Sequence, residues 1–234
     1  MGGGPLRAWG LGVSALLVMS ATMAGLVVGW LCWQWATRLL GTSEGLVPVP
    51  AACVSCAVVW GLTCGFLGLG ALSLELLALC VPLVTLSLAD FAVRIIPNEC
   101  VLAVLAVHLC RVAMQVAQGS LGLGQALAQV LAGGACALVP LLALTLVMDR
   151  VLQAESMGGG DLKLLAAGGV CVGWRLLPFL LFLACCLGLC TAALPRGGAR
   201  RGEAFAFGPS IAVALWLTML FAPVVDTWLL TWVF

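Results

Sequence analysis

A chain of 234 residues that is 64% hydrophobic and only 8% charged, with a mean hydropathy of +1.22, is excluded from the water-soluble globular class, in which about a quarter of residues carry charge. The net charge of +1 comes without a basic tract or aromatic–basic interleaving, so nothing points to nucleic acid as a partner. Apolar runs of roughly 18 residues or more recur and are continuous rather than alternating, which predicts an all-α polytopic bundle in a lipid bilayer and not a barrel.

Eight helices are predicted within one membrane domain spanning 1–234. The first covers 11–38. Its apolar run follows Arg7 and reaches Trp35, longer than the roughly 7–15 residues of a signal-peptide core, so a retained span is expected. A short loop over 39–52 leads to helices at 51–70 and 73–90, separated at "GLGALS". Helices at 98–118, 122–148 and 161–176 follow "RIIPN", "QGSLG" and "DRVLQAESMGGG". The last two cover 178–194 and, beyond "PRGGARRGEAFAFGP", 208–232. Helix 161–176 is short for a span, but a re-entrant segment would carry the "RGGARR" loop to the other side.

Charge orients the bundle, because short cytoplasmic loops carry excess Lys and Arg. With the N-terminus outside, Arg38, Arg94, Arg150, Lys163, Arg196, Arg200 and Arg201 fall inside, against Arg7, Arg111 and Arg175 outside or near the outer ends.

The remaining polar and sulfur-bearing residues read mostly as structure. The twelve cysteines lie largely in apolar stretches such as "FLACCLGLC", as small reduced packing residues, so no disulfide framework is expected. Cys53 and Cys56 form a single Cys-x-x-Cys. A closed structural zinc site takes four ligands, and no second pair or nearby histidine follows, which leaves these two as a weak metal candidate. No cofactor is expected. His108, the one histidine, is read as a helix–helix hydrogen-bonding residue. Trp30, Trp33, Trp35, Trp174 and Trp232 stand near span ends, as interfacial tryptophans do. The runs "LGLGA" and "AGGACA" are read as close helix contacts.

Nine acidic residues remain. Glu75 and Asp226 lie toward the outer ends, Glu44 and Glu203 in inner loops, and Asp149 beside Arg150 at the interface. Glu99 opens the fourth helix, where a carboxylate suits the positive end. Asp90 and Asp161 differ, since both are predicted at the inner membrane edge, where carboxylates are costly and mark function. Each has a plain structural reading: Asp161 as a helix N-cap, Asp90 as the i,i+4 partner of Arg94. Together they could share one proton. The ionised carboxyl would then activate water while the protonated one polarises a peptide carbonyl. The glycines before Asp161 permit close backbone approach. A carrier or scaffold whose aspartates relay protons also fits these residues, although no two-fold repeat of helices is detectable.

Three stretches carry a resemblance. "GGGD" (Gly158, Gly159, Gly160, Asp161) fits a Gly-x-Gly-Asp motif and continues as "LKLLAA", with Lys163. "LADFAVRIIPNECVL" contains Asp90, Arg94, Pro97 and Asn98, and "FAFGPSIAVAL" contains Phe207, Gly208 and Pro209. In this order they resemble the type IV prepilin peptidases, from about residue 50 to the C-terminus and less clearly over 25–50. The resemblance implies an aspartic endopeptidase with Asp90 and Asp161 as its catalytic pair and the other motif residues in support. It implies a bacterial inner-membrane location, with cleavage at the cytoplasmic face. The implied partners are prepilin or pseudopilin precursors, with a short basic leader, a glycine at the cut and an apolar helix. Glu44, Asp149, Glu155 or Glu203 would meet such a leader. Larger members carry two Cys-x-x-Cys pairs in a zinc-binding loop and N-methylate the new terminus. With one pair and a shrunken loop, this chain resembles the short peptidase-only form. Presenilin-type proteases share Gly-x-Gly-Asp but carry a Tyr-Asp pair, and this chain has no tyrosine.

Overall fold

The computed structural model describes residues 15–153, 157–193 and 206–233. Arg7, Glu155, Arg196, Arg200, Arg201 and Glu203 lie outside the described residues, as does the start of the predicted first span. The described chain is helical: α1 (Ala15–Leu40), α2 (Val49–Leu67), α3 (Ala71–Val93), α4 (Asn98–Ala117), α5 (Leu123–Leu152), α6 (Gly159–Ala193) and α7 (Gly208–Val233). All seven contain a segment long and apolar enough to cross a bilayer, and the chain is a multi-pass membrane protein.

The predicted helices six and seven both lie in α6. A straight helix of 35 residues would be ~52 Å long, far beyond a hydrocarbon core of about 30 Å. The chain breaks at Gly173, whose φ of 73° and ψ of 170° are not helical. There it folds back: a Cβ placed on Gly168 would sit 3.0 Å from Leu180 Cδ2, whereas twelve residues of straight helix span ~18 Å. α6 is therefore a hairpin of two arms, giving eight helical segments. Its turn reaches the level of His108, Arg111 and Gln115 in the second half of α4, and all of these line one cavity.

Small residues set the closest contacts. On α1, Gly25 and Gly29 form "GLVVG", the spacing that lets two backbones touch in a membrane. A Cβ on Gly29 would collide with Cys53 Cα and the Ala52 carbonyl, and one on Gly25 with the backbone of Cys56 and Ala57. "AGGACA" behaves as expected, with Gly133 and Ala137 of α5 against Gly169 of α6. "LGLGA" does not. Gly68 is the positive-φ C-cap of α2, and Gly70 N-caps α3, so these glycines make the turn rather than a helix contact. Gly29→Ala is expected to destabilise the fold by roughly 1–3 kcal/mol, because backbone atoms cannot step aside as side chains do. Thermal unfolding in detergent checks this against Gly124→Ala, where nothing lies within 4 Å.

The loop between α1 and α2 is shorter than the predicted 39–52. Leu39 and Leu40 stay helical, and Pro48 already caps α2, so the loop is Gly41–Pro48. Cys53 and Cys56 lie within α2, as the predicted helix over 51–70 has them. Cys56 is buried between Cys32 and Cys80, with Cys80 Sγ 3.7 Å from Cys56 Sγ. Among the described residues no three His, Cys, Asp or Glu side chains converge as a metal site.

α3 and α7 lie at the centre of the bundle. Leu76, Leu79, Leu83 and Leu86 of α3 pack with Val104 of α4, Leu164 and Leu180 of α6, and Ile211 and Leu215 of α7. α5 is peripheral and exposes most of its leucines and valines. α3 and α4 are further joined by a buried polar cluster. His108 Nδ1 lies 2.7 Å from Glu75 Oε1, and Arg111 Nε 2.5 Å from Glu75 Oε2. His108 thus makes the predicted helix–helix hydrogen bond. Glu75, expected at an outer span end, is only 4% exposed.

Candidate active site

Asp90 stands in the last turn of α3, where the chain must leave the helix. Arg94 caps the helix in the left-handed region (φ 55°), and its amide donates to the Asp90 carbonyl at 2.9 Å. The turn then reaches Pro97, which restricts the backbone before it to extended conformations and caps α4 at Asn98. Between them Ile96 is tucked back into the core, 9% exposed.

Ile96 is the hub of the site. A Cβ on Gly160, in the first turn of α6, would lie 3.0 Å from Ile96 Cβ; one on Gly208, opening α7, would lie 3.2 Å from Ile96 Cδ1. Two helix starts, contributed by distant parts of the chain, therefore converge on one isoleucine because both present glycine to it. At the second, the Gly208 amide donates to Asp90 Oδ2 at 2.8 Å. A charge-assisted hydrogen bond from a rigid backbone amide fixes the carboxyl's direction. Arg94 adds a positive charge that acts on Asp90, so the predicted i,i+4 electrostatic relation exists beside the Gly208 bond.

Asp161 is not an N-cap. α6 begins at Gly159, and the Gly158 carbonyl accepts the Leu162 amide at 3.2 Å, which places Asp161 inside the first turn. Its carboxyl turns back over Gly158: a Cβ there would be 3.1 Å from Asp161 Oδ2. The two carboxyls lie within electrostatic reach of each other. Asp90 is buried and Asp161 half-buried, so the pair sits at the edge of the bundle rather than sealed in its core.

The other motif residues surround this pair. Lys163 Nζ donates to Asn98 Oδ1 at 3.2 Å, tying the first turn of α6 to that of α4. Phe207 packs on the central core, and its carbonyl accepts the amides of Ser210 and Ile211. Pro209 stands in the first turn of α7, where a missing N–H costs no helical bond. It lines an apolar cavity of about 430 Å³ between α2, α3, the second arm of α6 and α7. Val47, Phe91, Thr191 and Ser210 also line that cavity, and Phe91 and Pro209 are the sequence neighbours of Asp90 and Gly208. Cys53 and Cys56 are not part of the aspartate site: they belong to the α1–α2–α3 contact. Glu44 lies in the Gly41–Pro48 loop, beside the turn after α3, since Gly45 approaches Ala92.

Ile96 and the buried cluster around Glu75 were not anticipated from the sequence. The available signal for the latter was on α4, where His108 and Arg111 are three residues apart and so share a helix face.

A protein-family model described as the type IV leader peptidase family matches residues 77–193. A prepilin leader peptidase/N-methyltransferase of Aeromonas hydrophila is 30% identical over 213 residues, covering 86% of this chain and 68% of that protein. One of Stutzerimonas stutzeri is 29% identical over 173 residues, covering 73% of this chain and 57% of the relative. One of Pseudomonas putida is 31% identical over 177 residues, covering 75% and 57% respectively. No solved structure matches the chain.

Proposed function

The chain belongs to the type IV leader peptidase family, and we propose that it is an aspartic endopeptidase whose Asp90 and Asp161 activate water to remove the leader of prepilin or pseudopilin precursors. The observation that carries this reading is the convergence on Ile96 of the two helix starts that bear Asp161 and Gly208, with the Gly208 amide holding Asp90.

In the proposed cycle one carboxyl, ionised, takes a proton from water while the other, protonated, polarises the scissile carbonyl. The same proton then passes to the leaving amine. The half-buried position of Asp161 gives water and an extended peptide access. The apolar cavity beside Asp90 would take the apolar segment that follows the cut. Glu44, at the same end, would face a basic leader. The charge distribution favours the cytoplasmic face of the bacterial inner membrane for this end, with the N-terminus outside. Residues 1–234 form one peptidase domain in this reading. The N-methyltransferase half of the relatives' names is not carried over. The segment that bears the zinc loop in the larger members is here only Gly41–Pro48.

The test is leader cleavage of a candidate precursor from the same genome, in membranes, with the new N-terminus read by mass spectrometry. Cleavage after the leader glycine, undiminished by EDTA and without a +14 Da shift, is the expected result. Absence of cleavage, with enzyme and substrate both inserted, would overturn the peptidase reading in favour of a carrier or scaffold. A methylated terminus would overturn the peptidase-only part, and loss in EDTA the metal-free mechanism.

A further inference from the structure

The end of the bundle away from Asp90 carries a second cavity that the peptidase chemistry does not use. Glu75 marks this end, ~22 Å along α3 from Asp90. The cavity holds about 310 Å³ and is entered between α4, α5, the hairpin turn of α6 and α7. Its lining is one-sided in charge. Among the described side chains, Arg111, Arg175 and His108 face it, with Gln115 and Gln129, and no carboxylate lines it. Glu75 is 4% exposed and held between His108 and Arg111, so it braces these two residues without lining the space.

Each donor has a structural reason to point at a ligand. His108 is 4% exposed, yet its ring lines the cavity; Nδ1 is held by Glu75, which leaves Nε2 as the ring nitrogen for an occupant. Arg111 meets Glu75 through Nε, which leaves its two terminal nitrogens as further donors. Arg175 stands over the Trp174 ring at 6.0 Å and has no carboxylate partner among the described residues. The break at Gly173 also starts the second arm of α6 here. The first amides of that arm are unbonded within the helix and carry its positive end. Apolar side chains, among them Leu72, Val172 and Met219, complete the lining.

We propose that this cavity is a binding site for a phosphate-type anion, the group offered by an anionic phospholipid headgroup or by free phosphate. Forked guanidinium donors and a helix start suit tetrahedral oxyanions. The mixed polar and apolar lining at one end of a membrane bundle suits a headgroup with its glycerol backbone.

The test uses the full chain in detergent. Unfolding temperature and native mass spectrometry are followed with micelles doped with phosphatidylglycerol, micelles doped with phosphatidylcholine, and inorganic phosphate. Phosphatidylglycerol is expected to bind and raise the unfolding temperature by mass action, with phosphatidylcholine weaker by at least about 10-fold. Arg175→Gln and Gln129→Ala, both changes at exposed positions, are expected to weaken that binding by about 10-fold and several-fold respectively, while Arg150→Gln at the aspartate end leaves it unchanged. Saturable binding of inorganic phosphate alone, reduced by the same substitutions, would support the site with a diffusible anion as its source. Equal binding of both lipids with no response to phosphate, or unchanged binding in both Arg175→Gln and Gln129→Ala, would overturn it.

Discussion

Asp90→Asn and Asp161→Asn are each expected to lower leader cleavage by about 10³-fold, the middle of the range for loss of a general acid–base group. The substitution is chosen because it keeps shape. An asparagine at position 90 retains an oxygen that can accept the Gly208 amide, now held at 2.8 Å, so the contact between α3 and α7 survives while proton transfer does not. The unfolding temperature should therefore stay near that of the wild type, which separates lost chemistry from lost fold. The double variant should be scarcely worse than either single one, since residues that act as one catalytic unit are not additive. Asp161→Glu keeps the charge but displaces the carboxyl by roughly 1 Å, enough to cost about 10²-fold. A single Asn variant that retained a tenth of wild-type activity would remove that aspartate from the mechanism.

The class of fold was legible because bilayer-length apolar runs have few physical outcomes. The hairpin in α6 shows the limit of that logic. Gly173 turns the chain, while the sequence reading placed the break at Leu177, ahead of Pro178. In "AGGVCVGW" several glycines could each adopt the required φ; Gly168 packs on Leu180 and Gly169 on Gly133 and Ala137, and the turn falls at Gly173. At the site, Asp90 and Asp161 stood out because a charge at a membrane edge is costly. The motif order then placed Phe207, Gly208 and Pro209 beside them. What Gly208 does was not legible, since it acts through an amide and a missing Cβ, neither of which a residue letter discloses. Glu75 was passed over for a related reason. An acid near a predicted span end reads as solvated until His108 and Arg111, on another helix, are seen to surround it.

The glycines of the motif should separate in effect, and the order follows from what each added methyl would meet. At Gly208 a Cβ would lie 2.9 Å from Asp90 Oδ2 and 3.2 Å from Ile96 Cδ1. Both are ends of side chains that can move, so Gly208→Ala should fold. The relief, however, comes from swinging the Asp90 carboxyl away from its amide donor. A displacement near 1 Å predicts a loss of about 10²-fold in kcat/KM with little change in unfolding temperature. Gly160→Ala meets Ile96 Cβ at 3.0 Å, an atom fixed to the backbone of the turn, so the first turn of α6 and Asp161 must shift as a unit. A loss of about 10-fold with a measurable fall in stability is expected. Gly158→Ala presses on Asp161 Oδ2 at 3.1 Å and should act on activity more than on stability. Gly159→Ala meets nothing within 4 Å and should behave as wild type, although it sits between two sensitive neighbours. Cleavage rates and unfolding temperatures for the four variants would decide the matter. Equal losses at Gly159 and Gly208 would mean that the motif needs backbone freedom, and that close packing on Asp90 and Ile96 is not what selects glycine there.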